Sequence, residues 1–461
     1  MSHPASAAHN PLSASDRTLV NVLIVGVILP LLDTTLVNVA LHSIGEQLHA
    51  PLSMMQWVVT AYTLAAASAV PLSTWLAQRI GAKQLWILCL WMFLAGAALS
   101  AIARSAEFLI FSRIIQGAAT GLLLPTMQTI VVIVIGQQKA RAALAAMSIP
   151  SVLAPIFGPL IGGLALYFTD WRILFWLHVP ICLAAIVLAG RIIPSIARQP
   201  SLPFDLTGFA LLCPGLVLAI YGLSGLRDDI NNATLILAVA GILLIVAFAR
   251  HAYRRRESAL VDLTLFGVAN FRLSCLLLFL ASVVYYGGIL LLPLYFIQAG
   301  NYTVSWAGFL LAMQGVGTLI ARHKLPDISA KWGDRYTACT AIFLALLGSV
   351  ILSLPQVIDN KYLIMSGMIL RGAGVGMLTI MAVSSAYYGL AKQQVAHASS
   401  LTRILTHTGA TIGAVMLAIL LNSSHYAAVP SPSAWASAHI ALIIVIIVSG
   451  LVCWRLPGRS G

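Results

Sequence analysis

The chain has 461 residues, of which 60% are hydrophobic and only 8% charged, and its mean hydropathy is +0.95. Soluble domains carry about 25% charged residues, so this composition excludes a soluble enzyme, a nucleic-acid module and a disordered scaffold. It describes an all-α polytopic membrane protein, and the formal charge of +13 then calls for a topological explanation.

Residues 1–17 form a polar tail without the basic start and small-residue cleavage site of a signal peptide. Apolar stretches follow at 18–41, 54–77, 84–103, 107–135, 142–168, 171–190, 205–226, 232–250, 270–298, 303–322, 336–354, 361–388, 395–421 and 435–454. A helix needs about 20 apolar residues to cross a bilayer, so these predict fourteen membrane helices. Pro180 and Pro214 interrupt two of them, which a bundle tolerates when neighbours satisfy the freed carbonyls.

Alternating these spans puts nineteen Lys and Arg on the side of the termini and four (Arg104, Arg172, Arg227, Lys361) on the other. Arg113, Arg371 and Arg403 fall inside spans. Basic loops stay in the cytoplasm, so both termini are predicted cytoplasmic, in a multi-pass plasma membrane. The basic run from Arg250 to Glu257 reads as a stop-transfer cluster against anionic headgroups. Together with 191–203 it brackets an inserted two-helix hairpin at 205–250, between six-helix bundles at 18–190 and 270–454. The six cysteines are isolated in apolar runs without metal-ligand spacing, so neither a disulfide frame nor a metal site is expected.

An internal echo supports two halves. Arg113-Ile-Ile-Gln-Gly117 with Gly121 in the fourth span matches Arg371-Gly372-Ala-Gly374-Val-Gly376 in the twelfth. The loops around Arg79-Ile-Gly81-Ala-Lys83 and Lys331-Trp-Gly333-Asp-Arg335 match loosely as well. Repeated halves around a midplane site belong to secondary transporters.

At these residues the chain resembles the major facilitator superfamily, in its fourteen-helix drug:proton antiporter branch of EmrB type. Leu32-Asp33-Thr-Thr-Leu-Val-Asn38-Val-Ala-Leu41 resembles that branch's first-helix signature, and Gln56-Trp57-Val-Val-Thr-Ala-Tyr62 its second. Ala154-Pro155-Ile-Phe-Gly158-Pro159-Leu-Ile-Gly162-Gly163 is similar to the antiporter motif of the fifth helix. Asp170-Trp171-Arg172 through Pro180 is similar to the opening of the sixth, with His178 in place of Asn. The superfamily's loop motif is altered here, with Thr74 for Gly and Gln78 for Asp. The resemblance implies export of lipophilic organic compounds in exchange for protons across a bacterial inner membrane. It also implies a periplasmic adaptor, although the loop at 422–434 is short for one. No cofactor is implied beyond the coupling proton.

Of the thirteen acidic residues Asp33 alone lies deep in a span. An ionised carboxylate there costs at least about 2.5–3.5 kcal/mol, so it must be paired, hydrated or protonated. From their places in the helices Asp33 and Arg113 sit roughly 12 and 9 Å deep, close enough in depth to pair. The pair is read as the proton-coupling site, with a static ion pair as the plain alternative and His407 as a second titratable group. Substrate is expected to meet Asn38, Gln56, Tyr62, Gln128, Tyr285, Tyr286, Gln314 and Arg371, while Pro155, Gly158, Pro159, Gly162 and Gly163 supply a bendable, closely packed helix. Three span arginines against one acid predict that permanent cations are disfavoured. A dedicated exporter or uptake system for one metabolite or siderophore-like ligand is the rival reading. A membrane-embedded enzyme would need a clustered His/Asp or Cys/His site, and the sequence offers none.

Overall fold

A chain surrounded by hydrocarbon must satisfy its backbone N–H and C=O groups internally, which leaves helices as the solution for these apolar stretches. A computed structural model describes residues 12–50, 52–147, 161–162, 164–166, 168–196, 203–228, 232–255, 259–302, 304–391, 394–421 and 431–454. Among the described residues the regular elements are all helical. The first is α1 (Ala14–Gln47), opened by a capping box in which the Asp16 amide donates to Ser13 Oγ and the Ser13 amide to Asp16. Then come α2 (Leu52–Ala69), α3 (Leu72–Ile80), α4 (Ala82–Ala101), α5 (Ala106–Ile130), which runs into a π turn at Val131–Ile135, and α6 (Gln137–Met147). They are followed by α7 (Arg172–Trp176), α8 (His178–Ile192), α9 (Leu206–Asp228) and α10 (Asn232–Arg255). The last are α11 (Ala269–Gln298), α12 (Val304–Ser353), α13 (Lys361–Ala386), α14 (Val395–Leu421) and α15 (Pro432–Trp454).

Eleven described helices are long and apolar enough to cross a membrane, and twelve if α2 and α3, bent by 57° across Val70 and Pro71, count as one. The expected fourteen is therefore not reached among the described residues. Of the stretch at 303–322, residues 304–322 are helical but form the first part of α12, which breaks only at Gly333. There φ is 79°, a left-handed conformation that glycine adopts without steric cost. Most of 142–168, including Pro155, Gly158, Pro159 and Gly163, lies outside the described residues; Gly162 is helical and buried.

Small residues set the helix spacing, as they do wherever lipid supplies no hydrophobic force between helices. Gly117 and Gly121 of α5 lie directly against the backbones of Tyr62 and Ala66 on α2. Gly317 of α12 and Gly372 of α13 do the same for those two helices. α1, α2, α4, α5 and α8 pack mainly on one another, as do α11 to α15. The hairpin α9–α10 closes on itself through Gly222 and Gly241. α9 also packs on both α2 and α14, with Trp57 stacked on Tyr221 at 5.6 Å. The outer face of α10 presents Ile236, Leu243 and Val246, side chains suited to lipid.

One buried carboxylate ties the hairpin down. Asp205 accepts the Gly208 amide (3.0 Å) and the Leu260 amide (3.1 Å), and pairs with His251 Nε2 (2.9 Å) and Arg255 (3.7 Å). Burial pushes its carboxyl upward, but the bonds from Gly208, His251 and Leu260 outweigh that and hold it below the usual range. A depressed native pKa contributes stability above the unfolded value of about 3.9, and that stability is lost as pH falls through the native value. Replacing Asp205 by Ala strands the Leu260 amide and should cost about 1–3 kcal/mol. Thermal unfolding in detergent micelles should show a lower midpoint for Asp205→Ala at pH 7 and a shrinking difference in acid.

Candidate functional site

Asp33 follows Pro30 in α1 by three residues and has no exposed surface. Arg113 of α5 donates through Nη1 to Asp33 Oδ2 at 2.6 Å and to Gln116 Oε1 at 2.8 Å, and through Nε to the Val58 carbonyl at 3.3 Å. The Val58 contact depends on the glycine-spaced approach of α2 to α5. The guanidinium carbon lies 4.2 Å from the centre of the Tyr62 ring, whose hydroxyl shares a 2.8 Å hydrogen bond with Thr120. Stacked, charge-paired and hydrogen-bonded at once, Arg113 is held where a lysine could not be. Asp33 keeps one oxygen, Oδ1, buried without a hydrogen-bond partner among the described residues.

The second arginine of the sequence echo also binds a glutamine and a backbone carbonyl, but its glutamine comes from another helix and it has no carboxylate partner among the described residues. Arg371 of α13 donates to Gln314 Oε1 at 2.6 Å and to the Val284 carbonyl at 2.7 Å. Arg113 likewise binds one glutamine oxygen and one carbonyl of a neighbouring helix. No carboxylate reaches Arg371 among the described residues, and the α11 residue against its guanidinium is Gly288. Arg322 of α12 and Arg371 both face Tyr285, and Arg403 of α14 faces Tyr286 and Tyr387. Arg322, counted from sequence with the cytoplasmic charges, thus belongs to the bundle interior. α12 continues as helix beyond the end of its apolar stretch, so the side chain can reach inward. Arg403 Nε is likewise buried without a hydrogen-bond partner among the described residues.

A third set of residues joins the two groups of helices. Ser400 Oγ bonds Thr74 Oγ1 at 2.7 Å and Ser73 Oγ at 2.9 Å, and Thr74 also donates to the Ala396 carbonyl. Gln78 meets His397 at 3.3 Å, and the Asp262 amide donates to the other ring nitrogen of His397 at 3.1 Å. One turn deeper, Tyr387 donates to Gln128 Oε1 and to Ser399, while Thr129 donates to Ser399. All of these lie at the end of the bundle where α1 begins. The hydrogen bonds of the junction run between hydroxyl, amide, imidazole and backbone groups, with Gln78 at the position where the loop motif it resembles carries an Asp.

The sequence profile of the Major Facilitator Superfamily matches residues 23–414. The chain belongs to the major facilitator superfamily. It is 29% identical over 396 residues to the multidrug resistance protein B homolog of Mycobacterium tuberculosis, a match that covers 84% of this chain and 73% of that protein. It is 35% identical over 292 residues to the multidrug export protein EmrB of Haemophilus influenzae, covering 62% of this chain and 56% of that protein. Among solved structures, the proton:xylose symporter XylE aligns with a TM-score of 0.64 at 13% identity, over 96% of each chain. The human organic anion transporter MFSD10 aligns with a TM-score of 0.63 at 14% identity, over 96% of this chain and all of that one. At such identities the structures speak for the fold alone.

In this superfamily member the residues singled out from sequence fall into separate places. Asp33, Arg113 and Tyr62 come together, Gln314 binds Arg371, Gln128 belongs to the junction, and Tyr285 packs edge-on to the more exposed Tyr286 at 5.1 Å. His407 stands apart from Asp33, in a narrow slot between α2, α9 and α14 lined by Ala67, Val70, Leu216, Ile220 and Ile404. The side chains of Asn38 and Gln56 lie outside the described residues. Sequence reasoning passed over Gln116 and the Ser73–Thr74–Ser400 set, because hydroxyls and amides recur throughout such helices. The signal available was the polar opening of α14, His397-Ala-Ser399-Ser400-Leu-Thr402.

Neutral hydrogen bonds contribute about 0.5–1.5 kcal/mol each, so the junction opens for a few kcal/mol. Ser400→Val removes two of these bonds and leaves Ser73 and Thr74 with only backbone acceptors. We expect the open population to rise by about tenfold, since 1.4 kcal/mol is one decade. Spin labels at Arg79 and Ala391 should report it as a new longer-distance component.

Proposed function

We propose that the protein is a proton-coupled exporter of lipophilic organic compounds, working by alternating access between two six-helix halves with α9–α10 inserted between them. Both termini then lie in the cytoplasm of a bacterial cell, and the Ser73–Thr74–Ser400 junction is the cytoplasmic gate. The observation that carries the reading is the Asp33–Arg113 pair, a fully buried carboxylate deep in a span held by one arginine, with an oxygen left over. An ion pair buried in a low-dielectric bundle is stable only while both partners are charged and in place. A proton arriving at Asp33 cancels that charge and releases Arg113, which grips α2 through Val58 and Tyr62. Protonation therefore reaches the packing of α1, α2 and α5 directly, and a few kcal/mol there are enough to shift a two-state gate.

The relatives named for multidrug resistance and multidrug export support a lipophilic cargo. This chain adds a charge preference. Arg371 and Arg403 lie within electrostatic reach of Tyr285, Tyr286 and Tyr387, and Arg371 is held by Gln314 and the Val284 carbonyl rather than by a carboxylate, so this part of the interior favours neutral and weakly acidic amphiphiles over permanent cations. The aromatic rings supply the apolar walls that such ligands need.

Reconstituted into vesicles with an imposed pH gradient, Asp33→Asn should bind substrate yet lose proton-driven transport, because it keeps volume but cannot titrate. Transport by Asp33→Asn at the original rate, still responsive to the gradient, would falsify the assignment. In a size-matched series, neutral and weakly acidic amphiphiles should be transported in preference to permanent cations. A clear preference for the cations contradicts the charge reading, and transport of a single member would favour a dedicated carrier.

A further inference from the structure

His178 opens α8, immediately after the turn at Leu177 that joins it to α7. Its ring is buried, and neither Nδ1 nor Nε2 has a hydrogen-bond partner among the described residues. Nε2 lies 3.9 Å from Asp33 Oδ1, the carboxylate oxygen that also lacks a partner. Nε2 and Oδ1, two polar atoms without partners, thus face each other at one buried point, while the Leu174 and Phe175 carbonyls also act on the ring. Each unmet group of this kind costs about 1–3 kcal/mol, and a shift of about 1 Å would let one bond satisfy both. The rest of the surround is spoken for. Arg113 from α5 holds Oδ2, Tyr62 from α2 is bound to Thr120, and Phe93 from α4 packs edge-on to the imidazole at 5.6 Å. Among titratable groups, Asp33 and Arg113 act on His178 itself, while Tyr62 and the Cys182 thiol, on the next turn of α8, face the same carboxylate.

We propose that His178 is the second proton-binding group of this transporter and shares one proton with Asp33 through Nε2 and Oδ1. The inference rests on Asp33 being the coupling carboxylate. While Arg113 holds Oδ2, the imidazole Nε2 beside the unpartnered Oδ1 is the first acceptor for an arriving proton. An arriving proton makes His178 an imidazolium whose Nε2–H donates to Oδ1. As that proton moves on from Nε2 to Oδ1, the carboxylate loses its charge and Arg113 is released from Oδ2. The imidazole is then neutral with its remaining hydrogen on Nδ1, the carboxyl is neutral, and the proton count is unchanged. Deprotonation toward the other side restores the starting pair. Two groups this close titrate as one unit with shared macroscopic steps.

The test needs no substrate. The full-length protein, labelled with nitrogen-15 in its histidines and reconstituted in lipid, is titrated by solid-state NMR from about pH 4.5 to 9, a range that brackets the ordinary histidine value. His178→Asn identifies the resonances by their disappearance, and His178→Gln serves if the first variant does not fold. His178 should titrate within this range, and Asp33→Asn should move its midpoint down by a unit or more, because the negative charge that favours the imidazolium is gone. A ring that stays neutral throughout, or a midpoint indifferent to Asp33→Asn, overturns the proposal. If Asp33→Asn still transports against a proton gradient, it is the coupling reading of Asp33 that fails. If that variant is uncoupled but His178 does not titrate, only the present inference fails.

Discussion

A carboxylate cannot stay ionised inside an apolar helix bundle without an opposite charge at contact distance, and the pairing of Asp33 with Arg113 meets that requirement deep within the spans. Asp33 and Arg113 meet at 2.6 Å with almost no exposed surface. To bring them together, α5 gives up side chains at Gly117 and Gly121 so that α2 can lie against it. Tyr62 and Val58 then complete the cage around the guanidinium. Removing either charge from a buried pair typically costs about 3–5 kcal/mol, far more than any single bond of the junction between the helix groups. The pair is therefore a structural support whose removal by a proton has mechanical consequences.

The two arginines of the sequence echo show how one architecture serves two purposes. Both donate to a glutamine oxygen and to a carbonyl of a neighbouring helix, the glutamine on the same helix for Arg113 and on another for Arg371. Among the described residues only the first has a carboxylate partner. Against the second stands Gly288, and its neighbourhood holds Arg322, Arg403 and three tyrosines. One group of helices thus holds a buried ion pair, and the other an arginine on uncharged partners beside aromatic rings.

Much of this was legible from the residues. A lone acid deep in an apolar run demands a partner, and Arg113 at similar depth was the nearest candidate, so that pairing followed from composition and helix rise. The glycine spacing around Arg113 and Arg371 announced close helix approach. Other features depend on packing that no local pattern encodes. His178 reads as one more buried histidine until α8 packs on α1 and sets its ring beside Asp33. Arg322 reads as a loop charge because its apolar run ends there, whereas the helix continues to Gly333. The hydroxyls of Ser73, Thr74 and Ser400 look ordinary until α3 and α14 bring them together. His407, which stood out for its titratable ring near mid-span, turned out to face an apolar slot away from the carboxylate.

The claim at the centre is that Asp33 and Arg113 depend on each other energetically. A double-mutant cycle with Asp33→Asn, Arg113→Gln and the double variant, read as unfolding free energy in detergent micelles, measures that dependence directly. The account predicts that each single variant is strongly destabilised and that the double variant recovers much of the loss, with a coupling of about 2 kcal/mol or more, at the upper end for residues in contact. Additive losses, with the double variant as unstable as the sum of the singles, would contradict it.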